Sequence, residues 1–200
     1  MNEFAAPHVE LIAHTTLACD GRSPVIEGHM SLDLDAGDMQ QLVEFAGRAC
    51  YQSFHKPNPA TARNKDYIAR TLHEQEHWSI AEHATATFYI TGVSRALTHE
   101  LIRHRHLSYS QLSQRFVDES NANIVIPPAA EGLPRKQARE AARAVLPNMI
   151  ETKIVVTGNL RAWHEVITRR TAPDADAEFQ QVARLIRDEL KKIAPAIFTD

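Results

Sequence analysis

The run ATATFYITG (84–92) alternates in character and is rich in β-forming residues, so it fits a strand buried on one face and not a helical stripe. Three further stretches read as strands: HVELIAHT (8–15), NIVIPP (123–128), stopped by two prolines, and TKIVVTGN (152–159), with a glycine near its end. Between them lie segments with helical spacing. In DMQQLVEFAGRACYQSF (38–54) the apolar positions are Leu42, Val43, Phe45, Ala46 and Ala49. KPNP (56–59) breaks the chain. Asn58 is placed to cap a helix running to about His77, with Tyr67, Ile68 and Leu72 on one face. Ser94 is placed to cap RALTHELIRHRH (95–106). A basic amphipathic helix is predicted over 135–146, and two last helices over roughly 160–171 and 175–194, separated at Pro173. Strands and helices mix without strict βαβ alternation, which predicts an α+β fold: an antiparallel sheet flanked by helices. No GxGxxG is present, so a cofactor would be held by other means than the usual dinucleotide fingerprint.

With 200 residues and 44% hydrophobic content, one domain with a real core is expected. The 22 basic and 25 acidic residues leave a formal charge of −3, without the basic excess of a nucleic-acid-coating protein. Two cysteines, Cys19 and Cys50, offer no disulfide framework. Cys50, mid-helix among apolar neighbours, reads as packing. The N-terminus lacks a secretory pattern, and no apolar run nears the ~20 residues that span a bilayer. The expectation is a cytoplasmic protein that binds neither nucleic acid nor membrane.

HEQEH (73–77) matches H-E-x-x-H, in which two histidines one helical turn apart bind zinc. Only three of its positions are specified, and eleven histidines in the chain make chance matches easy. No third ligand stands at an established spacing, so an exposed helix end is the better reading and no metal is expected. RHRHLSYSQLSQR (103–115) is more informative. Arg103 and Arg105 can grip phosphate in a planar, bidentate way. Ser108, Ser110 and Ser113 offer hydroxyls, and Gln111 and Gln114 offer amides that both donate and accept. Such amides suit a uracil or flavin imide edge. The alternative is a solvated helix end followed by a polar loop. Downstream, Lys136, Arg139 and Arg143 share a helical face, and Asn159 and Arg161 open a helix where orphan N–H groups favour anions.

These residues resemble the signature of the flavin-dependent thymidylate synthases, R-H-R followed after a short gap by S and S-x-R. VEFAGRACYQSFHKPNP, HWSIAEHATATFYITGVSRALTHELIRHR, RKQAREAARAVLPN and TKIVVTGNLRAW agree with it, and together cover most of the chain. The resemblance implies a thymidylate synthase-complementing fold over 1–200 and a homotetramer with active sites at subunit interfaces. It implies bound FAD, dUMP as substrate, methylenetetrahydrofolate as carbon donor and NADPH as reductant. It assigns Ser79, Arg103, His104, Arg105, Gln111, Asn159 and Arg161 to FAD. To dUMP it assigns Glu100, Leu101, Ile102, Arg103, Gln111, Leu112, Ser113, Gln114, Arg115, Arg143 and Arg170. Arg170 corresponds to the arginine that ionises the uracil imide; Ser113 corresponds to a hydroxyl once considered as a nucleophile.

Several positions depart from the family pattern. AAEGLP joins VIPP directly to RKQAR, a short connection near 128–135 where relatives carry a further helical segment. Asp174 stands where relatives have a flavin-contacting histidine, Pro173 where they have glutamate, and Glu165 where histidine or asparagine is usual. Glu76 replaces a common glycine and Phe116 a frequent tyrosine. Carboxylates beside a diphosphate would repel it, which raises a second reading: a nucleotide-binding homologue with weakened catalysis.

Overall fold

The computed structural model describes residues 4–18, 36–54, 63–113, 115–118, 123–125 and 151–199. The elements in chain order begin with β1 (Phe4–Ala5), β2 (His8–His14), α1 (Asp38–Tyr51) and α2 (Asn64–Ile68), which continues as a π-helical turn (Ala69–Glu74). A 3-10 turn (Trp78–His83), β3 (Thr85–Ser94), α3 (Arg95–Leu101) and β4 (Leu107–Gln111) follow. The last are β5 (Ile124–Val125), β6 (Glu151–Asn159), α4 (Leu160–Arg170) and α5 (Ala177–Ile193). Among the described residues no helix is long and apolar enough to cross a membrane. Asn58, the basic helix over 135–146 and the join at 128–135 lie outside the described residues.

The chain divides into two compact units. The first comprises Met1–Ile12, Thr87–Thr157 and Glu165–Ile186. It holds most of an antiparallel four-stranded sheet in the order β2-β3-β6-β4, and a parallel β1–β5 pair with Phe4 opposite Ile124. Alternation puts Phe88 and Ile90 of β3, and Ile154 and Val156 of β6, in the core, while Thr87 and Thr157 meet on the other face at 3.0 Å. On α5, Phe179, Val182, Ala183 and Ile186 are all buried, the i, i+3, i+4, i+7 stripe of a helix with one apolar face.

The strand expected to stop at Gly92 runs on to Ser94, because Gly92 adopts a φ of 67°. A Cβ at this position would land on the carbonyl of Ala6, so only glycine allows both the backbone turn and the close approach.

LSYSQ, where no strand is predicted, is an edge strand among the described residues, β4, and Leu112 N–H extends the pairing to Lys153 O at 2.8 Å. The helix expected to reach His106 ends at Leu101. Tyr109 supplies the stop: its hydroxyl lies 2.7 Å from the carbonyls of both Leu101 and His104, drawing the chain into a turn. Burial pushes the Tyr109 phenol up to about 12, so the group stays a donor throughout the physiological range.

The second unit comprises Ala13–Ala86, Gly158–His164 and Arg187–Asp200. Here α1 buries a polar face. Gln40, Glu44 and Arg48 are buried, whereas the predicted apolar positions Leu42, Phe45, Ala46 and Ala49 are only half-buried. This is tolerable because the polar groups satisfy one another. Asn64 donates to Gln40 O at 3.0 Å and to Glu44 at 2.8 Å, and Arg48 donates to Glu44 at 2.6 Å. Cys50, expected to pack, is exposed near the end of this helix.

The helical stretch through HEQEH does not reach His77. Regular winding ends at Glu74, and Gln75 N–H reaches back five residues to Arg70 O. Glu76 then takes a φ of 57°, the left-handed region that glycine occupies most easily. His73 and His77 therefore do not share one helical face, and His73 Nε2 lies 3.0 Å from Ala196 O.

Gly92→Ala is expected to lower unfolding free energy by about 2 kcal/mol or more, from left-handed strain and the Ala6 clash together. Urea denaturation checks it, and stability equal to the parent would contradict the close approach.

Candidate functional site

In the first unit the basic run is built from both ends of α3. Ser94 opens the helix: its hydroxyl accepts Leu97 N–H at 3.1 Å, the expected cap. The Glu178 carboxylate in turn accepts the Ser94 N–H at 2.7 Å and the Ser94 hydroxyl at 2.6 Å. Burial raises the Glu178 carboxyl above its ordinary value, against the pull of these two bonds. Tyr109 closes the other end.

This frame brings three of the predicted residues together. Arg170 donates from Nε to His104 Nε2 at 3.1 Å and from Nη1 to Glu100 at 3.0 Å. Glu100 lies in the last turn of α3 and His104 in the turn that follows, where its N–H bonds to Leu101 O at 3.0 Å, and a single guanidinium spans both. An arginine always carries its proton, so His104 Nε2 must be the acceptor and the ring hydrogen sits on Nδ1. Burial first, and the Arg170 charge second, hold the His104 pKa below its ordinary value, while Glu165 and Glu100 pull the other way. The guanidinium also lies over the Phe179 ring, 4.8 Å from its centroid.

Arg103 and Arg105 follow in the turn between α3 and β4 and are exposed, with no ion-pair partner among the described residues. Two unengaged guanidiniums two residues apart are a donor set suited to an anionic group such as a diphosphate. Leu101 is fully buried and belongs to the core; Ile102 is exposed. Gln111 is committed to the protein on one side: its Nε2 donates to Thr98 at 3.1 Å and to Thr152 at 3.3 Å. Leu112 O accepts from Arg95 at 3.0 Å. Ser113 and Arg115 stand exposed on the turn after β4, where Ser113 Oγ accepts the Arg115 N–H at 3.3 Å. Gln114 and Arg143 lie outside the described residues.

In the second unit Ser79 is exposed on the 3-10 turn. Asn159 caps α4, its Oδ1 accepting Ala162 N–H at 2.8 Å. Arg161 pairs with Glu82 at 2.5 Å, with both side chains about half exposed, at 52% and 46%. An exposed pair of this kind is worth little and can exchange its carboxylate for a phosphate. Arg103 and Arg105 in the first unit, and Arg161 in the second, are each donors of the kind that a diphosphate takes. Of the two departing carboxylates, Glu165 pairs with Arg169 at 2.8 Å and Asp174 is exposed.

Sequence reasoning missed Glu178, Tyr109 and Phe179. Phe179 reads from sequence only as the first apolar position of an amphipathic helix.

The family described as thymidylate synthase complementing protein matches residues 34–136 and 130–196. The chain is also 46% identical over 237 aligned positions to the flavin-dependent thymidylate synthase of Mycobacteroides abscessus, covering 100% of this chain and 92% of that protein. The chain belongs to this family. The flavin-dependent thymidylate synthase of Mycobacterium tuberculosis is 44% identical at the same coverage. Among solved structures, thymidylate synthase X from Helicobacter pylori with FAD and dUMP aligns with a TM-score of 0.66 at 20% identity, covering 98% of this chain and 100% of that one. The UMP/dUMP methylase PolB from Streptomyces cacaoi, bound with 5-Br dUMP, aligns at 0.69, also 20% identical, over 97% and 93%. At that identity the two structures share the fold.

The His104 environment has a pH consequence. Its folded-state pKa lies below the ordinary 6.5, so the folded protein prefers the neutral ring. The stability this contributes is complete above about pH 6.5 and is lost as pH falls from there through the folded pKa. His104→Gln keeps an acceptor for Arg170 without a titrating ring. The stability of the parent relative to His104→Gln should therefore fall between pH 7.5 and pH 5.5. A constant difference in urea unfolding across that window would contradict the neutral assignment.

Proposed function

We propose that this protein makes dTMP from dUMP as an FAD-dependent thymidylate synthase, with methylenetetrahydrofolate as carbon donor and NADPH as reductant. The observation that carries the reading is the fixed cation of Arg170, anchored on Glu100 and His104 with part of its donor set left open. FAD, when bound, supplies the redox chemistry that turns the transferred carbon into a methyl group. The chain supplies position and field. Arg170 beside the uracil imide favours its anionic form by direct charge pairing and so raises electron density in the ring. A preorganised donor of this kind does the work that a nucleophilic side chain does elsewhere.

Arg103, His104 and Arg105, with Ser79, Gln111, Asn159 and Arg161, are the proposed cofactor contacts. His104 as a neutral ring and Arg103 and Arg105 as free guanidiniums suit an uncharged flavin edge and its diphosphate respectively. Glu100, Ile102 and Arg103, Gln111 to Arg115, and Arg143 are the proposed dUMP contacts, and Leu101, buried in the core, supports them from beneath. Ser113 offers an exposed hydroxyl, and Arg115 an exposed cation for the nucleotide phosphate. The weakened-homologue reading is disfavoured, since relatives at 44–46% identity are named as synthases.

We further infer one family domain over 1–200 with a shortened join near 128–135. Supporting this, the alignment to the M. abscessus protein needs 237 positions for 200 residues. A cytoplasmic homotetramer is the proposed state. The Arg115 turn supports association, with Phe116 80% and Val117 45% exposed, and light scattering should give about four times the 22.5 kDa protomer mass.

Purified protein should show a flavin spectrum and convert dUMP to dTMP with the folate donor and NADPH, with UMP as control substrate. Protein that binds dUMP but acquires no flavin spectrum in excess FAD would sink the proposal. Arg170→Ala should lose turnover by about 100-fold or more with a smaller change in dUMP affinity, whereas Arg115→Ala weakens dUMP binding itself. Equal effects on binding would count against this division of labour.

A further inference from the structure

The first turn of α5 faces the basic end of α3. Asp176 Oδ1 accepts the Phe179 N–H at 3.0 Å and so starts the helix. From that turn Glu178 reaches Ser94, as described above, and Phe179, fully buried, turns its ring toward Arg170 and His104. The Arg170 guanidinium lies 4.8 Å from the ring centroid, while His104 meets the same ring edge-on at 6.2 Å and 85°. A cation over an aromatic face is held by the ring quadrupole, and an aliphatic side chain filling the same space offers no such attraction. Arg170 is long and flexible, and its side chain is only 20% exposed. Its Nε and Nη1 are engaged, and among the described residues Nη2 has no hydrogen-bond partner.

We propose that Phe179 is a positioning residue for the reaction: its ring holds the Arg170 guanidinium so that Nε meets His104, Nη1 meets Glu100 and Nη2 is presented to the uracil imide. This rests on the assignment of Arg170 to dUMP activation. The ring acts through Arg170 and touches no substrate. Its second contact, edge-on to His104, keeps the acceptor of the Arg170 Nε–H in place. The whole arrangement is carried by one helical turn, in which the residue that tethers Ser94 immediately precedes the one that supports Arg170.

The test uses the full protein with Phe179→Leu, and with Phe179 replaced by its trifluoro analogue, which keeps the ring's shape and weakens its quadrupole. Two readouts are taken: the NMR signal of the Arg170 Nε–H without ligand, and kcat and KM for dUMP in the flavin-loaded enzyme. In the unsubstituted protein the Arg170 signal should be shifted upfield by the ring, and Phe179→Leu should abolish that shift. For Phe179→Leu, kcat should fall about tenfold, the size of one lost cation–π contact, with KM for dUMP changed by no more than about twofold. The trifluoro protein should show an intermediate loss of kcat at unchanged melting temperature. An Arg170 signal without a ring shift in the unsubstituted protein overturns the proposal. So does a kcat equal to the parent's in the trifluoro protein, which also decides the matter if Phe179→Leu does not fold. If the unsubstituted protein makes no dTMP, the functional assignment fails by itself, and the Arg170 signal alone then decides the role of Phe179.

Discussion

The carboxylate of Glu178 meets both the N–H and the hydroxyl of Ser94 within 2.7 Å, and both residues are buried. Charge-assisted bonds of this kind are among the stronger polar interactions in a protein, roughly 1.5–3 kcal/mol each, and losing one partner leaves a buried charge unsatisfied. The direction of α3 depends on this tether, because Ser94 is also the residue that caps it. With the start of α3 tied to α5 and its end closed by Tyr109, Glu100 and His104 are brought to one side, within reach of Arg170. The geometry of the candidate site thus descends from one buried acid that takes no part in the chemistry.

Charge in the described region is divided between groups that are held and groups that are open. Arg170, Arg161 and Arg169 each have a carboxylate partner, whereas Arg103 and Arg105 have none among the described residues. A held cation costs little reorganisation when negative charge develops next to it. Exposed cations suit binding, since they exchange water for phosphate oxygens with little strain. The likeness at 20% identity to both a thymidylate synthase and a UMP/dUMP methylase shows how far the fold outlasts sequence. Fold alone does not choose the substrate; side chains such as these do.

Much of the fold was legible. The central strands were readable because residues buried on one face alternate with residues that are not: β6 does this along its nine residues and β3 from Thr85 to Gly92. The Ser94 cap was readable because it is a local bond, three residues long. What failed had causes elsewhere in the chain. β4 is short and serine-rich, and it is a strand because β6 offers it a partner. The polar face of α1 is buried because Asn64 completes its hydrogen bonds from twenty residues away. α3 stops early because a tyrosine beyond its end reaches back to its last carbonyls.

The same division holds for the site. Residue type and spacing along 103–115 and around Arg170 suffice to point to a nucleotide and a flavin, because guanidiniums, hydroxyls and amides carry their binding chemistry wherever they are placed. Tertiary structure decided which cations are spoken for, which nitrogen of the His104 ring carries its proton, and that a buried phenylalanine lies beneath the key guanidinium. Those outcomes depend on distances between segments some seventy residues apart. Electrostatic and cation–π forces fall steeply with separation and with exposure to water, so no local pattern in the chain can encode them.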